Sequence, residues 1–110
     1  MAVGAVDDFH AAVSKNVPAP VCDNAEPHAF DAVTKLPCPQ FLALLNSRLG
    51  GFVDSKRMQT PLASAQPAIV GLSYQSHYQR GDARERFTYR IEAGRTILTM
   101  YRITSDVLNR

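Results

Sequence analysis

Between Val70 and Ile103 the chain alternates apolar and polar residues across two glycine-bearing breaks, Arg80-Gly81 and Ala93-Gly94. Glycine accepts the positive φ that tight hairpins demand, so each break, set between β-branched and aromatic runs, marks a hairpin with a two-residue loop. Counting outward from Ala93-Gly94 sets Ile91 opposite Thr96, Tyr89 opposite Leu98, Phe87 opposite Met100 and Glu85 opposite Arg102. Counting outward from Arg80-Gly81 sets Val70 opposite Ile91, Leu72 opposite Tyr89 and Tyr74 opposite Phe87. Both counts choose the same central residues for one face, and a one-residue slip would reverse every side chain. The expected buried face is therefore Val70, Leu72, Tyr74, Phe87, Tyr89, Ile91, Leu98 and Met100.

The other face collects Gly71, Ser73, Gln75, His77, Arg84, Arg86, Thr88 and Arg90, with Ile97, Tyr101 and Ile103 as an apolar margin. Two readings stand side by side. In one, the face is simply solvated, arginine stems covering their apolar neighbours while the guanidinium groups stay in water. In the other, Gln75, His77, Arg84, Arg86, Arg90, Ile97, Tyr101 and Ile103 form a binding surface, since Arg and Tyr are favoured at interfaces. Such a surface would receive a second copy of the chain or an acidic partner.

A chain of 110 residues with 45% hydrophobic content builds one ordinary core, so residues 1–110 are read as a single domain. The net charge of +2 hides an asymmetry: residues 1–46 carry two Lys against five acids, and residues 47–110 carry ten Lys or Arg against five. No basic run is dense enough, or interleaved enough with aromatics, to argue for nucleic acid. No stretch approaches a membrane span, and the opening Met1-Ala-Val-Gly-Ala lacks a charged lead before an apolar run.

Upstream of the hairpins the period lengthens from two to about three and a half. Val6, Phe9, His10 and Val13 share a helical stripe, with Asp7 and Asp8 suited to a first turn and Pro18 and Pro20 ending the helix near Asn16. A short helix over residues 27–33 would bring Phe30 and Val33 to the core. Pro39 opens the clearest helix, with Phe41, Leu44, Leu45 and Leu49 on one face and Gly50-Gly51 at its end. Phe52 to Gln59 reads as a first strand, and Thr60 to Pro67 as a loop. The greasy sheet face is the surface on which these helices can pack, giving an α+β domain: N-terminal helices on one face of a curved four-stranded antiparallel sheet.

Cys22 and Cys38 have fifteen residues between them in a proline-rich stretch. Closing that loop is worth ~3 kcal/mol in the chain-entropy model and implies an oxidising compartment; the other reading is two unrelated buried thiols. The spacing matches no redox or zinc motif, so neither metal nor cofactor is expected. Catalysis is not expected either. The inner face offers Tyr74 and Tyr89 as polar-tipped residues and Glu85 as its acid, the latter expected in an ion pair with Arg102. His10 is read as a packing histidine, and a His10–Tyr89 pair facing an open pocket would reverse that reading. His28 and His77 have no spacing that suggests a triad. Arg80-Gly81-Asp82 matches an adhesive tripeptide, but a turn calls for such residues anyway.

The phrases Phe41-Leu-Ala-Leu-Leu-Asn-Ser-Arg-Leu-Gly, Leu72-Ser-Tyr-Gln-Ser, Glu85-Arg-Phe-Thr-Tyr-Arg-Ile-Glu-Ala-Gly-Arg and Met100-Tyr-Arg-Ile resemble a family of small bacterial extracytoplasmic domains of unknown function. Their fold is similar to the cystatin-like, nuclear-transport-factor-like cone. The resemblance spans roughly residues 5–108 and is most specific from Phe41 onward. It implies a mature periplasmic or secreted domain, its signal sequence missing from this chain, and it transfers no catalytic residue. Val17-Pro-Ala-Pro-Val-Cys breaks what is a continuous helix in that family. The expected function is a non-enzymatic exported binding or structural domain acting through the cationic face, as a homodimer or toward a protein partner. The alternatives are a periplasmic inhibitor or immunity-type protein, and a cone with a small-molecule or catalytic cavity between sheet and helices.

Overall fold

Val6, Phe9, Ala12 and Val13 recur at helical spacing and are all buried by α1, Ala2–Lys15. The computed structural model that contains it describes residues 2–58, 62–64 and 68–107. Asn16 turns the chain out of the helix at φ +56°, with its N–H on the Val13 carbonyl at 3.3 Å and the Val17 N–H on the Ala12 carbonyl at 3.0 Å. Because the helix already begins at Ala2, Asp7 and Asp8 lie in its middle rather than in the first turn expected for them. Pro18 and Pro20 do more than stop α1. They start α2, Ala19–Cys22, as N-cap and first-turn residue, where a missing N–H costs nothing.

The helix expected over residues 27–33 does not form. That stretch runs through successive tight turns, Ala29 N–H to Glu26 and Val33 N–H to Phe30 among them. The reason is competition for the backbone. Leu98 N–H donates to the Asn24 carbonyl, Glu26 N–H to the Leu98 carbonyl and Tyr101 N–H to the Ala29 carbonyl, so this segment is laid along the last strand. Phe30 still reaches the core and Val33 packs against it. Cys22 and Cys38 form a disulfide, with Cα atoms 5.7 Å apart, that closes this segment into a loop and ties α2 to the next helix. That helix, α3, Cys38–Leu49, buries Phe41, Leu42, Leu45 and Leu49, and ends at Gly50 with φ +75°. Asn46 Nδ2 donates to the Val13 carbonyl at 2.7 Å, clamping the ends of α1 and α3 together.

The strands are β1, Phe52–Arg57; β2, Leu62–Ser64; β3, Ala68–Tyr78; β4, Gly81–Glu92; and β5, Arg95–Thr104. Both β1 and β2 pair with β3, so the antiparallel sheet is four strands wide in the order β1, β3, β4, β5. β2 falls inside the stretch expected to be loop; the remainder of 59–67 lies outside the described residues. The helices cover one face, and the result is the α+β architecture expected.

Each hairpin departs from the simple count in its own way. Tyr78 pairs with Gly81, so the first loop is Gln79-Arg80 and Leu72 faces Phe87 rather than Tyr89. A displacement by two residues keeps every side chain on its face. Gly81 is a glycine for a different reason than a turn: a Cβ there would meet Val107 Cγ2 at 2.4 Å. The second loop is Ala93-Gly94 as expected, with φ +49° and +77°. The register then shifts between Thr88 and Tyr89. Tyr89 faces Leu98, yet Thr88 faces Met100, which leaves Thr99 as an extra residue in β5. Beyond that bulge every β5 side chain is reversed. Tyr101 is fully buried and Ile103 packs against the core, whereas Met100 and Arg102 join the outer face.

Ala93 holds a left-handed conformation that costs an ordinary residue of order 1 kcal/mol, and the turn it occupies favours Asn-Gly. Ala93→Asn is expected to raise the urea midpoint, by about 0.5–1 kcal/mol of stability, without altering the denaturant slope.

Candidate functional site

Three places on this frame bring chemistry together: the outer sheet face, a carboxylate buried under the helices, and a cleft at the α1 and hairpin end. On the outer face, alternation on β4 aligns Arg84, Arg86, Thr88 and Arg90. Their cross-strand partners are Gln75 and Thr104, Ser73 and Arg102, Gly71 and Met100, and Ile69 and Ile97 respectively. Arg86 thus faces another arginine, and its guanidinium extends over the gap left by Gly71, with Nη2 3.7 Å from where a Cβ would sit. Arg90 is compensated, ion-paired to Glu26 and at 2.9 Å to Glu92. His77 has its own acids, Asp82 at 2.7 Å and Asp54 at 3.8 Å; the Asp82 hydrogen bond, then its charge, raise the imidazole pKa above its usual value. Among the described residues, Arg84, Arg86 and Arg102 have no acid within ion-pair distance.

Of the expected binding residues, Gln75, His77, Arg84, Arg86, Arg90 and Ile97 lie on this face. Tyr101 and Ile103 do not, because the Thr99 bulge turns them inward. Arg102 and Met100 take the positions they were expected to fill.

Tyr101 instead reaches a carboxylate. Glu85, expected at the sheet end opposite Arg102, faces Ile103 and is only 2% exposed. His10 Nε2 lies 2.8 Å from its Oε1, the Tyr78 hydroxyl donates to Oε2 at 3.0 Å, and the Tyr101 hydroxyl donates to the same oxygen. Burial, the largest single influence, would push this carboxyl up; the hydrogen bonds and charge around it, led by His10 and including Tyr101, together outweigh it and hold Glu85 below the usual carboxylate range. Ser76 also favours the charged form, although its hydroxyl makes no hydrogen bond of good geometry. Both phenols are raised, first by burial and then by the Glu85 charge. His10 is stacked on Phe52 at 3.8 Å and edged by Tyr74, Tyr78 and Phe87, and its Nδ1 has no partner among the described residues. The packing histidine of the sequence is thus a packed histidine with a carboxylate, a pairing that 75 residues of separation concealed.

The cleft, about 510 Å³, lies between α1, α2 and the β4–β5 hairpin. Phe9, Val21 and Leu98 supply apolar wall, and Asp8, Tyr89, Arg95 and Thr96 supply polar groups. It opens on Tyr89 but not on His10: Phe9 packs edge-on against Phe87 at 5.1 Å, separating it from the Glu85 cluster. Both charged side chains of the adhesive tripeptide are tied to the protein. Arg80 Nη1 donates to the Ser47 carbonyl at 2.8 Å and Asp82 is held by His77.

Because Glu85 is depressed in the folded state, the stability it contributes is complete above the unfolded carboxyl pKa and is lost as pH falls through the lower folded value. Glu85→Gln should cost about 3 kcal/mol near neutral pH, read as a lowered urea midpoint. That deficit should shrink on acidification, since the wild type alone loses the charge.

No protein-family model matches this sequence, and no curated protein matches it. Similarity is found among solved structures. A protein designated Rd1NTF2_05, carrying several substitutions, superposes with a TM-score of 0.68 at 10% identity, covering 94% of this chain and 96% of its own. A putative Ca/calmodulin-dependent kinase II association domain from Exiguobacterium sibiricum gives 0.56 at 10% identity, over 91% of this chain and 86% of that one. An NTF2-like protein of unknown function from Cytophaga hutchinsonii gives 0.50 at 11% identity, over 96% and 89%. At these identities the likeness is one of fold, and the fold of this chain is the NTF2-like α+β cone.

Proposed function

We propose that the chain is a non-enzymatic binding domain of an oxidising, extracytoplasmic compartment, and that its outer sheet face receives an acidic protein. The observation that carries this reading is the uncompensated arginine trio. Like charges directly across a strand pair are destabilising, and Arg86 faces Arg102 while the neighbouring cations Arg90 and His77 each have an acid of their own. A fold optimised for stability alone has no use for that juxtaposition. A carboxylate-bearing partner would relieve it, and guanidinium groups bind carboxylates with bidentate geometry. Catalysis fits less well: Glu85 spends its lone pairs on protein donors and is sealed from the cleft.

Self-association is the second reading, favoured by the apolar strip of Ile69, Ile97 and Met100 and by the structural likeness to an association domain. A two-fold laid directly on the trio would crowd six guanidinium groups together, so this dimer would have to be offset toward Asp54 and Asp82. An inhibitor or immunity-type role is one form the acidic-partner reading takes.

Arg86→Glu is the discriminating variant. It should raise stability by about 0.2–1 kcal/mol by converting a repulsive cross-strand pair into an attractive one, while abolishing binding to a glutamate-rich probe peptide that the wild type retains in a salt-dependent way. Loss of stability, or unchanged peptide binding, would overturn the reading. Sedimentation at micromolar concentration separates the two versions, because a dimer that Arg86→Glu dissociates supports self-association. The compartment has its own check: protein unfolded without reductant should contain no titratable thiol, and two would remove the case for export.

A further inference from the structure

We propose that the cleft between α1, α2 and the β4–β5 hairpin is a binding site for a short zwitterionic peptide or amino acid with an apolar side chain. The site is separate from the sheet face and stands or falls independently of it. Its volume of about 510 Å³ suits a ligand of two or three residues, and Phe9, Val21 and Leu98 line it with apolar surface. What makes it a site rather than a dent is the polar groups left over. Tyr89 is only 3% exposed, yet its hydroxyl makes no hydrogen bond among the described residues. What surface the residue keeps opens on the cleft, so its hydroxyl is free to donate to a bound acceptor in place of water. Burial, together with the charges of Glu85 and Asp8, keeps that phenol protonated well beyond neutral pH.

The two charges at the cleft come from opposite walls. Asp8, from α1, is a carboxylate with no ion pair among the described residues, which suits an ammonium group. Arg95, from the hairpin, uses one guanidinium nitrogen on Asn24 Oδ1 at 3.2 Å and keeps its other donors for a carboxylate. Asn24 is itself held by its Nδ2 on the Pro20 carbonyl at 3.0 Å, so the arginine is braced rather than free-swinging. An anion on one wall, a cation on the other and apolar surface between them describe a molecule with charged ends and a greasy middle. A simple anion would be repelled by Asp8, and a purely apolar molecule would leave Tyr89 unsatisfied.

The probe is the dipeptide leucyl-phenylalanine, with its N-acetyl, C-amide and doubly blocked forms, followed by thermal shift and titration calorimetry. The free dipeptide should bind saturably and raise the melting temperature. Blocking either end should weaken binding by about tenfold. Asp8→Asn should erase the penalty for acetylation alone, and Arg95→Gln the penalty for amidation alone. Tyr89→Phe should weaken binding several-fold while leaving the melting temperature of the free protein within a degree or two, because it removes a hydroxyl that makes no hydrogen bond among the described residues. Absence of any shift at millimolar dipeptide, or equal binding of the doubly blocked form, would overturn the proposal. These variants lie away from Arg84, Arg86 and Arg102, so a null result here leaves the acidic-partner reading intact.

Discussion

One extra residue in the last strand connects the interior of this protein to its exterior. Thr99 has no counterpart across β4, and its hydroxyl donates to the Thr88 carbonyl at 3.1 Å where the ladder is interrupted. A strand whose side chains alternate strictly cannot place Leu98 and Tyr101 on the same face. With the bulge it does, and Leu98 and Tyr101 are both core residues. The same half-turn sends Arg102 outward to sit opposite Arg86. The buried tyrosine and the exposed arginine pair are therefore two consequences of one backbone irregularity.

The interior consequence is a polar cluster inside an aromatic box. A fully buried carboxylate is costly unless its lone pairs are satisfied and a positive or donor group lies close. Here the imidazole of α1 and phenols from β3 and β5 meet the carboxylate of β4, so four elements are pinned to one point. Such an arrangement specifies geometry more than it adds stability: shift any of the four elements and a buried charge loses a partner. The Nδ1 of His10 and the hydroxyl of Ser76, both without a hydrogen-bond partner among the described residues, are the residual imperfections. The aromatic neighbours, Phe9, Phe52 and Phe87, exclude water from the cluster and separate it from the cleft beyond.

The edge of the sheet is managed by the disulfide loop. Strand β5 is the last in the sheet, and a bare edge invites pairing with other chains. The segment from Asn24 to Ala29 takes up its Leu98 and Tyr101 backbone groups, and the Cys22–Cys38 bond keeps that segment from drifting off. The cysteine pairing was legible from two residues in a proline-rich stretch. The use made of the loop was not, because an edge contact between residues some seventy positions apart leaves no local pattern.

Periodicity by itself determined the helices at Val6–Val13 and Phe41–Leu49, the hairpins and the α+β layering, because a side chain's face follows from its parity or its helical angle and needs no partner to define it. Turn residues also set the Ala93-Gly94 loop, where both positions require positive φ. What only the tertiary structure decided were the quantities that depend on counting across a bulge or on distant contacts: the inward turn of Tyr101 and Ile103, the outward turn of Met100 and Arg102, the close packing of Gly81 on Val107, and the burial of Glu85 with His10. A bulge adds a single residue without changing composition, and a buried hydrogen bond joins positions far apart in the chain. Neither writes a repeating signal into the sequence, so each is settled by which packing leaves the fewest polar groups unpaired.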